Sequence, residues 1–430
     1  DFCLSRGLGD VYKRQPMHLV PSTYRSQVQP HWAHDGKHLW FLARGNDDPS
    51  ASAALVESGV DGDGPRIVVK ENTLAFGSAL VNDAHPSMRE CSQVLGPGDA
   101  GFLTDVSMPG ASALIVVDQL NGRSRTIASG DITDCGASAD GSRIAFSADD
   151  ATHFPEVYVA RAGAAPKRIT ALNDQLAGEV VLAQPESRTA KNAAGEDVPY
   201  WIMRPPHALA KEKLPTILEI HGGPHLEFGN AFFHEFQVLA ALGYTVVYAN
   251  PRGSAGYGYA WSMPIDGNWA EPMEADESAV LDAIEKLPYV DAQRIAVAGG
   301  SYGGYAVLWL IGHSHRFKAA LAERAISNLS SQQLAADYAG PANGVHGWGE
   351  PWSVPDRYWR QSPLAFAHRI RTPLLLIHSD EDLRAPIDQT YQIYNALELQ
   401  GGAVEMVEFP RENHDLNRKG EPIHRIERLH

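Results

Sequence analysis

Arg294–His313 reads RIAVAGGSYGGYAVLWLIGH. The run RIAVAG is short, apolar and closed by glycine, as a strand buried on both faces should be. YAVLWLIGH is apolar on every side and long enough for a buried helix. Between them Ser301 sits in a Gly-x-Ser-x-Gly turn. Glycines at 299, 300, 303 and 304 remove the β-carbons that so sharp a strand-to-helix turn would not accommodate. A glycine-rich helix start with a capping serine reads the same way locally, so the flanking sequence must decide.

Outward from this turn, apolar strands alternate with longer stretches of helical periodicity, the pattern of a parallel α/β sheet. The strands are TILEIH (216–221), TVVYAN (245–250), RIAVAG (294–299), KAALAE (318–323), PLLLIH (373–378) and VEMVEF (404–409). Helical spacing fills 231–242, 274–287 and 387–400. The fold class is therefore α/β, a doubly wound sheet over residues 185–430.

A serine hydroxyl is a poor nucleophile near neutral pH. It needs a histidine base, and that histidine needs a carboxylate to orient it. Both belong downstream, at the carboxyl ends of later strands. PLLLIH runs into SDEDLRAP, which offers Asp380, Glu381 and Asp382; VEMVEFP runs into RENHDL, which offers His414. We take Ser301 and His414, with a carboxylate from the run Asp380, Glu381 and Asp382, as the catalytic set. The backbone N–H groups of Tyr302 and of Gly223, in HGGPH (221–225), are the candidate oxyanion donors. Activity should then fall below about pH 6.5 as His414 gains a proton. His221 and His225 have a spacing seen in zinc sites, but Gly-Gly-Pro interrupts it and no third ligand is evident; no metal and no cofactor is called for. Arg252 and Tyr257 in NPRGSAGYG, and Trp348 and Trp352, read equally well as cleft lining or as packing.

Residues 29–172 are different. Short β-prone runs are punctuated by Asp-Gly and Asn-Gly turns. PHWAHDGKHLWFLA (30–43) and CGASADGSRIAFSA (135–148) are look-alikes, and paired strands recur at 113–128 and 156–170. At about 40 to 50 residues per blade, residues 16–184 hold three or four blades of a partial β-propeller; a small meander or sandwich is the alternative. DFCLSRGLGDVYKRQ (1–15) fits neither period and reads as a non-native scar.

The 52 acidic and 36 basic residues give a net charge of −16, with no basic run to follow a phosphate backbone. Nucleic acid is not an expected partner. No apolar run approaches the roughly 20 residues of a membrane span, so no membrane partner is expected. Three cysteines make neither a disulfide framework nor a metal spacing. A cytoplasmic location is favoured slightly over a periplasmic or secreted one, and homo-oligomerisation is not readable.

Taken together, HGGPH, NPRGSAGYG, GGSYGGY, HSDEDLRAP and ENHDL with HRIERL resemble the acylaminoacyl-peptidase branch of the prolyl oligopeptidase family. The resemblance runs from about Gln29 to the end and is strongest over 185–430. It implies a β-propeller over an α/β-hydrolase domain and a Ser301–Asp382–His414 triad. It further implies oxyanion donors at Gly223 and Tyr302, and short peptides as substrates screened by the propeller. His378-Ser379 departs from the family's usual His-Gly. The family's seven blades and its last helix exceed what this chain contains, so both ends read as cut. An esterase on the same triad and a non-catalytic interaction protein are the rival readings.

Overall fold

The two look-alike stretches of the N-terminal half form equivalent Asp-Gly hairpin turns. Gly36 and Gly141 take φ of 65° and 67°, a region where an L side chain clashes and glycine does not. Asp35 and Asp140 each accept the backbone N–H two residues on, from Lys37 at 2.7 Å and Ser142 at 3.1 Å. The computed structural model describes residues 26–45, 51–60, 64–84, 91–96, 101–161, 164–338 and 348–430. The stretch 1–15, expected to be a scar, lies outside them.

Strands β1 (Ser26–Trp32), β2 (His38–Arg44), β3 (Ala54–Gly59) and β4 (Arg66–Val69) form one antiparallel meander. A second sheet runs in sequence order through β5 (Ser92–Leu95), β6 (Gly101–Met108), β7 (Ala111–Asp118), β8 (Ser124–Ala137), β9 (Arg143–Asp150), β10 (His153–Arg161) and β11 (Ala164–Arg168). Its middle strand β8 is the seam: residues 124–130 pair with β7 and residues 131–137 with β9. The sheet is thus two blade-like meanders sharing one long strand, and the described part of this half holds three such units.

Apolar faces fill the spaces between them. Trp40, Leu42 and Leu55 pack on Phe102, Val106 and Ile115, with the Trp40 and Phe102 rings stacked 5.7 Å apart. Leu103 and Leu114 pack on Ile144 and Phe146. Here a reading made from the sequence is corrected: Cys91 and Cys135 form a disulfide, with Cα atoms 5.4 Å apart. They are 44 residues apart in the chain, so no local spacing announces the pair.

The C-terminal half is one eight-stranded sheet of β12 (Pro185–Lys191), β13 (Asp197–Met203), β14 (Leu214–Ile220), β15 (Thr245–Ala249), β16 (Val290–Gly300), β17 (Ala319–Glu323), β18 (Leu374–Ser379) and β19 (Val404–Phe409). The order is β12-β13-β15-β14-β16-β17-β18-β19. All six strands read from the sequence are present, and they pair in parallel. The two antiparallel strands at one end of the sheet, β12 at the edge and β13 beside it, were not read. PESRTAK in β12 is largely exposed and has no apolar run to betray it. Helix Tyr302–His313 is buried along nearly its whole length, as its apolar sequence on every face requires. The architecture is an α/β-hydrolase sheet preceded by propeller blades.

Buried polar contacts join the halves. Asp83 accepts the N–H of His234 at 2.6 Å and of Glu235 at 2.8 Å. A carboxylate from the blades therefore caps helix His234–Ala241, where the first N–H groups lack intrahelical acceptors. Glu227 pairs its main chain with Ala79 and Val81, and its side chain accepts from Gly110 N–H at 3.0 Å. Burial pushes the Glu227 carboxyl up to about 9, so it sits neutral at this interface at pH 7. Replacing Asp83 with alanine is expected to cost about 1 to 2 kcal/mol. Amide exchange should then speed up in helix His234–Ala241 and not in Tyr302–His313.

Candidate active site

Ser301 stands between the end of β16 and the first residue of helix Tyr302–His313, with φ 61° and ψ −121°. A non-glycine residue there is strained, by about 1 to 3 kcal/mol, and persists only where its surroundings hold it. Two hydrogen bonds do so: Ser301 N–H donates to Glu323 O at 3.0 Å, and Ser301 O accepts from Tyr305 N–H at 2.9 Å. The glycines allow the approach. A β-carbon on Gly303 would lie 2.1 Å from Ile220 O, and one on Gly304 would lie 2.8 Å from Glu323 O. Both distances are far inside van der Waals contact, so no side chain is tolerated at either position.

The loops after β18 and β19 bring Asp382 and His414 together. His414 Nδ1 and Asp382 Oδ2 are 2.7 Å apart, while Asp382 Oδ1 accepts the N–H groups of Arg384 and Ala385 at 2.9 Å each. Asp382 is buried. Burial alone would raise its pKa, but hydrogen bonds from His378 and His414 prevail and hold the carboxyl well below its ordinary value. For His414, burial lowers the pKa; the Asp382 hydrogen bond opposes this, the nearby Arg324 cation reinforces it, and the net shift is downward. The histidine is neutral and the aspartate charged at pH 7, the protonation states a general base and its orienting partner require. Asp380 is turned away: it accepts Arg411 N–H at 2.6 Å.

Ser301 and His414 face one cavity of about 480 Å³ without a hydrogen bond between them; such contacts are often open before substrate binds. Gly222 and Gly223 form part of its wall. Gly223 takes φ 119°, and Gly222 lies so close that a β-carbon there would be 3.5 Å from Ser301 Cβ. The Tyr302 N–H, first in its helix, has no intrahelical acceptor; its ring is tied down by a 2.7 Å hydrogen bond from the hydroxyl to Trp269 O.

The histidines of HGGPH brace this loop. His221 bonds Gly222 O at 2.7 Å and Ser254 Oγ at 2.9 Å, and burial drops its pKa to about 4. His225 bonds Gly253 O at 2.8 Å. Arg252 and Tyr257 prove structural: Arg252 grips Asp276 through Nε and Nη2 at 2.9 Å each, and the Tyr257 hydroxyl accepts from Asn250 at 3.0 Å. Trp348 is buried against Trp269 and Tyr358, while Trp352 is exposed. Sequence reading missed Trp269, Arg324, Tyr338 and Arg418, all of which line the cavity, and also Val81, which reaches it from the blades. Arg324 directly follows β17, so the rule that found Asp382 and His414 at strand ends could have found it too. Val81 carries no such signal.

Residues 230–430 match the model of the prolyl oligopeptidase family. Over that stretch, a little under half of the chain, the sequence is similar to this family. The chain is 39% identical over 275 residues to the uncharacterized peptidase YuxL of Bacillus subtilis, covering 64% of this chain and 42% of YuxL. Dipeptidyl-peptidase 5 of Porphyromonas gingivalis is 32% identical over 256 residues, with 58% of this chain and 37% of that protein covered. The chain therefore spans about two fifths of the length of these curated relatives. Among solved structures, acylaminoacyl peptidase of Pyrococcus horikoshii superposes with TM-score 0.79 at 25% identity, covering 92% of this chain and 60% of that one.

The turn at Ser301 depends on the absent β-carbon of Gly303. Gly303→Ala is expected to abolish Ser301 labelling by a fluorophosphonate and to lower the unfolding midpoint. Gly312→Ala in the same helix, whose β-carbon would meet Phe366 at an ordinary 3.4 Å, should preserve labelling.

Proposed function

We propose that this chain hydrolyses short peptides through an acyl-enzyme, with Ser301 as nucleophile, His414 as general base and Asp382 as the carboxylate that orients the base. The observation that carries the reading is the 2.7 Å His414–Asp382 hydrogen bond opening on the cavity that also contains the strained Ser301. His414 accepts the Ser301 proton as Oγ attacks the scissile carbonyl. The oxyanion rests on the N–H groups of Tyr302 and Gly223, and His414 returns the proton to the leaving amine. Water, activated by the same histidine, then releases the acyl group.

Size supports short peptides. The cavity at Ser301, about 480 Å³, adjoins a larger one of about 700 Å³ between the blades and the sheet, and both are lined by His225 and Arg418. Volumes of this order hold a few residues rather than a folded chain. The names of the relatives favour release of acylated residues or dipeptides within that class.

Purified protein and its Ser301→Ala variant would be treated with a fluorophosphonate, then assayed on a blocked aminoacyl anilide and a simple ester. Labelling that depends on Ser301, with anilide cleavage, is expected. Ester-only turnover would make the protein an esterase, and a folded, unlabelled wild type would end the serine-hydrolase reading. Asp382→Asn should retain the shape of the site yet reduce kcat by on the order of 10⁴.

The pH dependence follows from His414. Its pKa is lowered, so the neutral, proton-accepting form persists below the ordinary histidine value of about 6.5. We expect kcat/KM to hold at pH 6.5 and to fall only at lower pH. An acid limb centred above 6.5 would contradict the assignment of His414 as base.

A further inference from the structure

The nucleophile turn is backed by a buried ion cluster that the catalytic scheme does not use. A small cavity of about 50 Å³ adjoins the turn, with Gly300, Glu219, Glu235, Glu323, Arg324 and Arg428 among its walls. Arg428 comes from helix Pro422–Leu429, and only 6% of its side chain is exposed. Its Nη2 lies 2.9 Å from Glu235 and 2.9 Å from Glu323, and its Nε lies 2.7 Å from the second Glu323 oxygen. Nη2 thus hydrogen-bonds both acids, while Nε, close to Glu323 but without hydrogen-bond geometry, adds only its share of the charge to the contact.

Glu323 is also the residue whose main-chain oxygen accepts the Ser301 N–H at 3.0 Å. The same oxygen would be only 2.8 Å from a β-carbon on Gly304. The next residue, Arg324, has a strained φ of 38°, and its N–H donates to Ile377 O at 2.7 Å. Glu323 is therefore clamped at its side chain by Arg428, while its carbonyl sets the height of the nucleophile. We infer that Arg428 is a positioning residue for Ser301, acting through Glu323; this rests on the reading of Ser301 as the nucleophile.

The charges are consistent with a clamp. Burial works against the Arg428 cation, but Glu235 and Glu323 overcome it and raise its pKa. Glu219 has its pKa raised by burial, with Glu235 and Glu323 pushing the same way. Burial also raises the pKa of Glu235, with the Arg428 cation opposing it, and Arg324 stands beside Glu323 at 3.7 Å. A plain structural pair would not need the carbonyl contact to Ser301.

The test compares Arg428→Gln, Arg428→Lys and Glu323→Gln with wild type, at a temperature where circular dichroism shows each folded. The rate constant for fluorophosphonate labelling is read alongside kcat and KM on the anilide. Displacing a reacting group by about 1 Å costs on the order of 10²-fold, so Arg428→Gln should slow both labelling and kcat by about 10- to 100-fold. KM should stay within about twofold of wild type. Arg428→Lys, which restores the charge without the fork, should recover part of the loss. Should Arg428→Gln fail to fold, Glu323→Gln and Arg428→Lys decide on the same readouts. Wild-type labelling rates in the folded variants would overturn the inference while leaving the nucleophile assignment standing. Absence of labelling in folded wild type would remove both.

Discussion

Everything at this site depends on one close approach, that of the first turn of helix Tyr302–His313 to the end of β14. The turn can pass over Ile220 O only because Gly303 lacks a β-carbon, which would lie 2.1 Å from that oxygen. The approach forces Ser301 into a positive φ, and that backbone directs the side chain off the sheet edge into the cavity. Strain of this kind is retained where neighbours over-determine it. Here the neighbours are Glu323 O on one side and Tyr305 N–H on the other.

Electrostatics are arranged in two tiers around that turn. In the cavity, Asp382 is ionised because two histidines and two backbone N–H groups serve it, and His414 is neutral because burial disfavours its cation. Behind the turn, a second set of acids faces Arg324 and Arg428. Such charges would be costly to bury singly. Paired, they join β17, helix His234–Ala241 and helix Pro422–Leu429 into one unit beneath Ser301.

The blades participate in this unit rather than merely sitting beside it. Asp83 caps the helix that supplies Glu235, Glu227 bridges to Gly110 as a neutral acid, and Val81 lines the cavity of Ser301. The polar contacts among them are buried, where an unmatched donor or acceptor is expensive. The relative placement of the halves is accordingly specified by particular hydrogen bonds, not by a broad apolar face alone.

Much of this was legible in the residues. Apolar runs identified the parallel strands inside the sheet, because burial on both faces demands continuous apolar sequence, whereas VEMVEF of edge strand β19 is partly exposed and mixes apolar residues with glutamates. Gly-x-Ser-x-Gly with acid and histidine at later strand ends picked out the loop residues that the fold gathers, because parallel sheets collect their strand ends on one edge. Edge strand β12 escaped, since a strand exposed along much of its length has no composition to mark it. The preference for Asp382 over Asp380 came from the family resemblance, and the loop's path agrees with it: Asp382 meets His414 while Asp380 turns to Arg411. The Cys91–Cys135 bond, the structural use of Arg252 and Tyr257, and the clamp of Arg428 on Glu323 were invisible. Each joins residues distant in the chain through side chains whose type fits many environments. The sequence alone determined which segments are strands, which turn is strained and which residue types can perform acyl transfer, because these follow from local sterics and periodicity. Tertiary structure alone decided which buried charges meet, because a pairing across tens or hundreds of residues is set by packing geometry and leaves no local pattern.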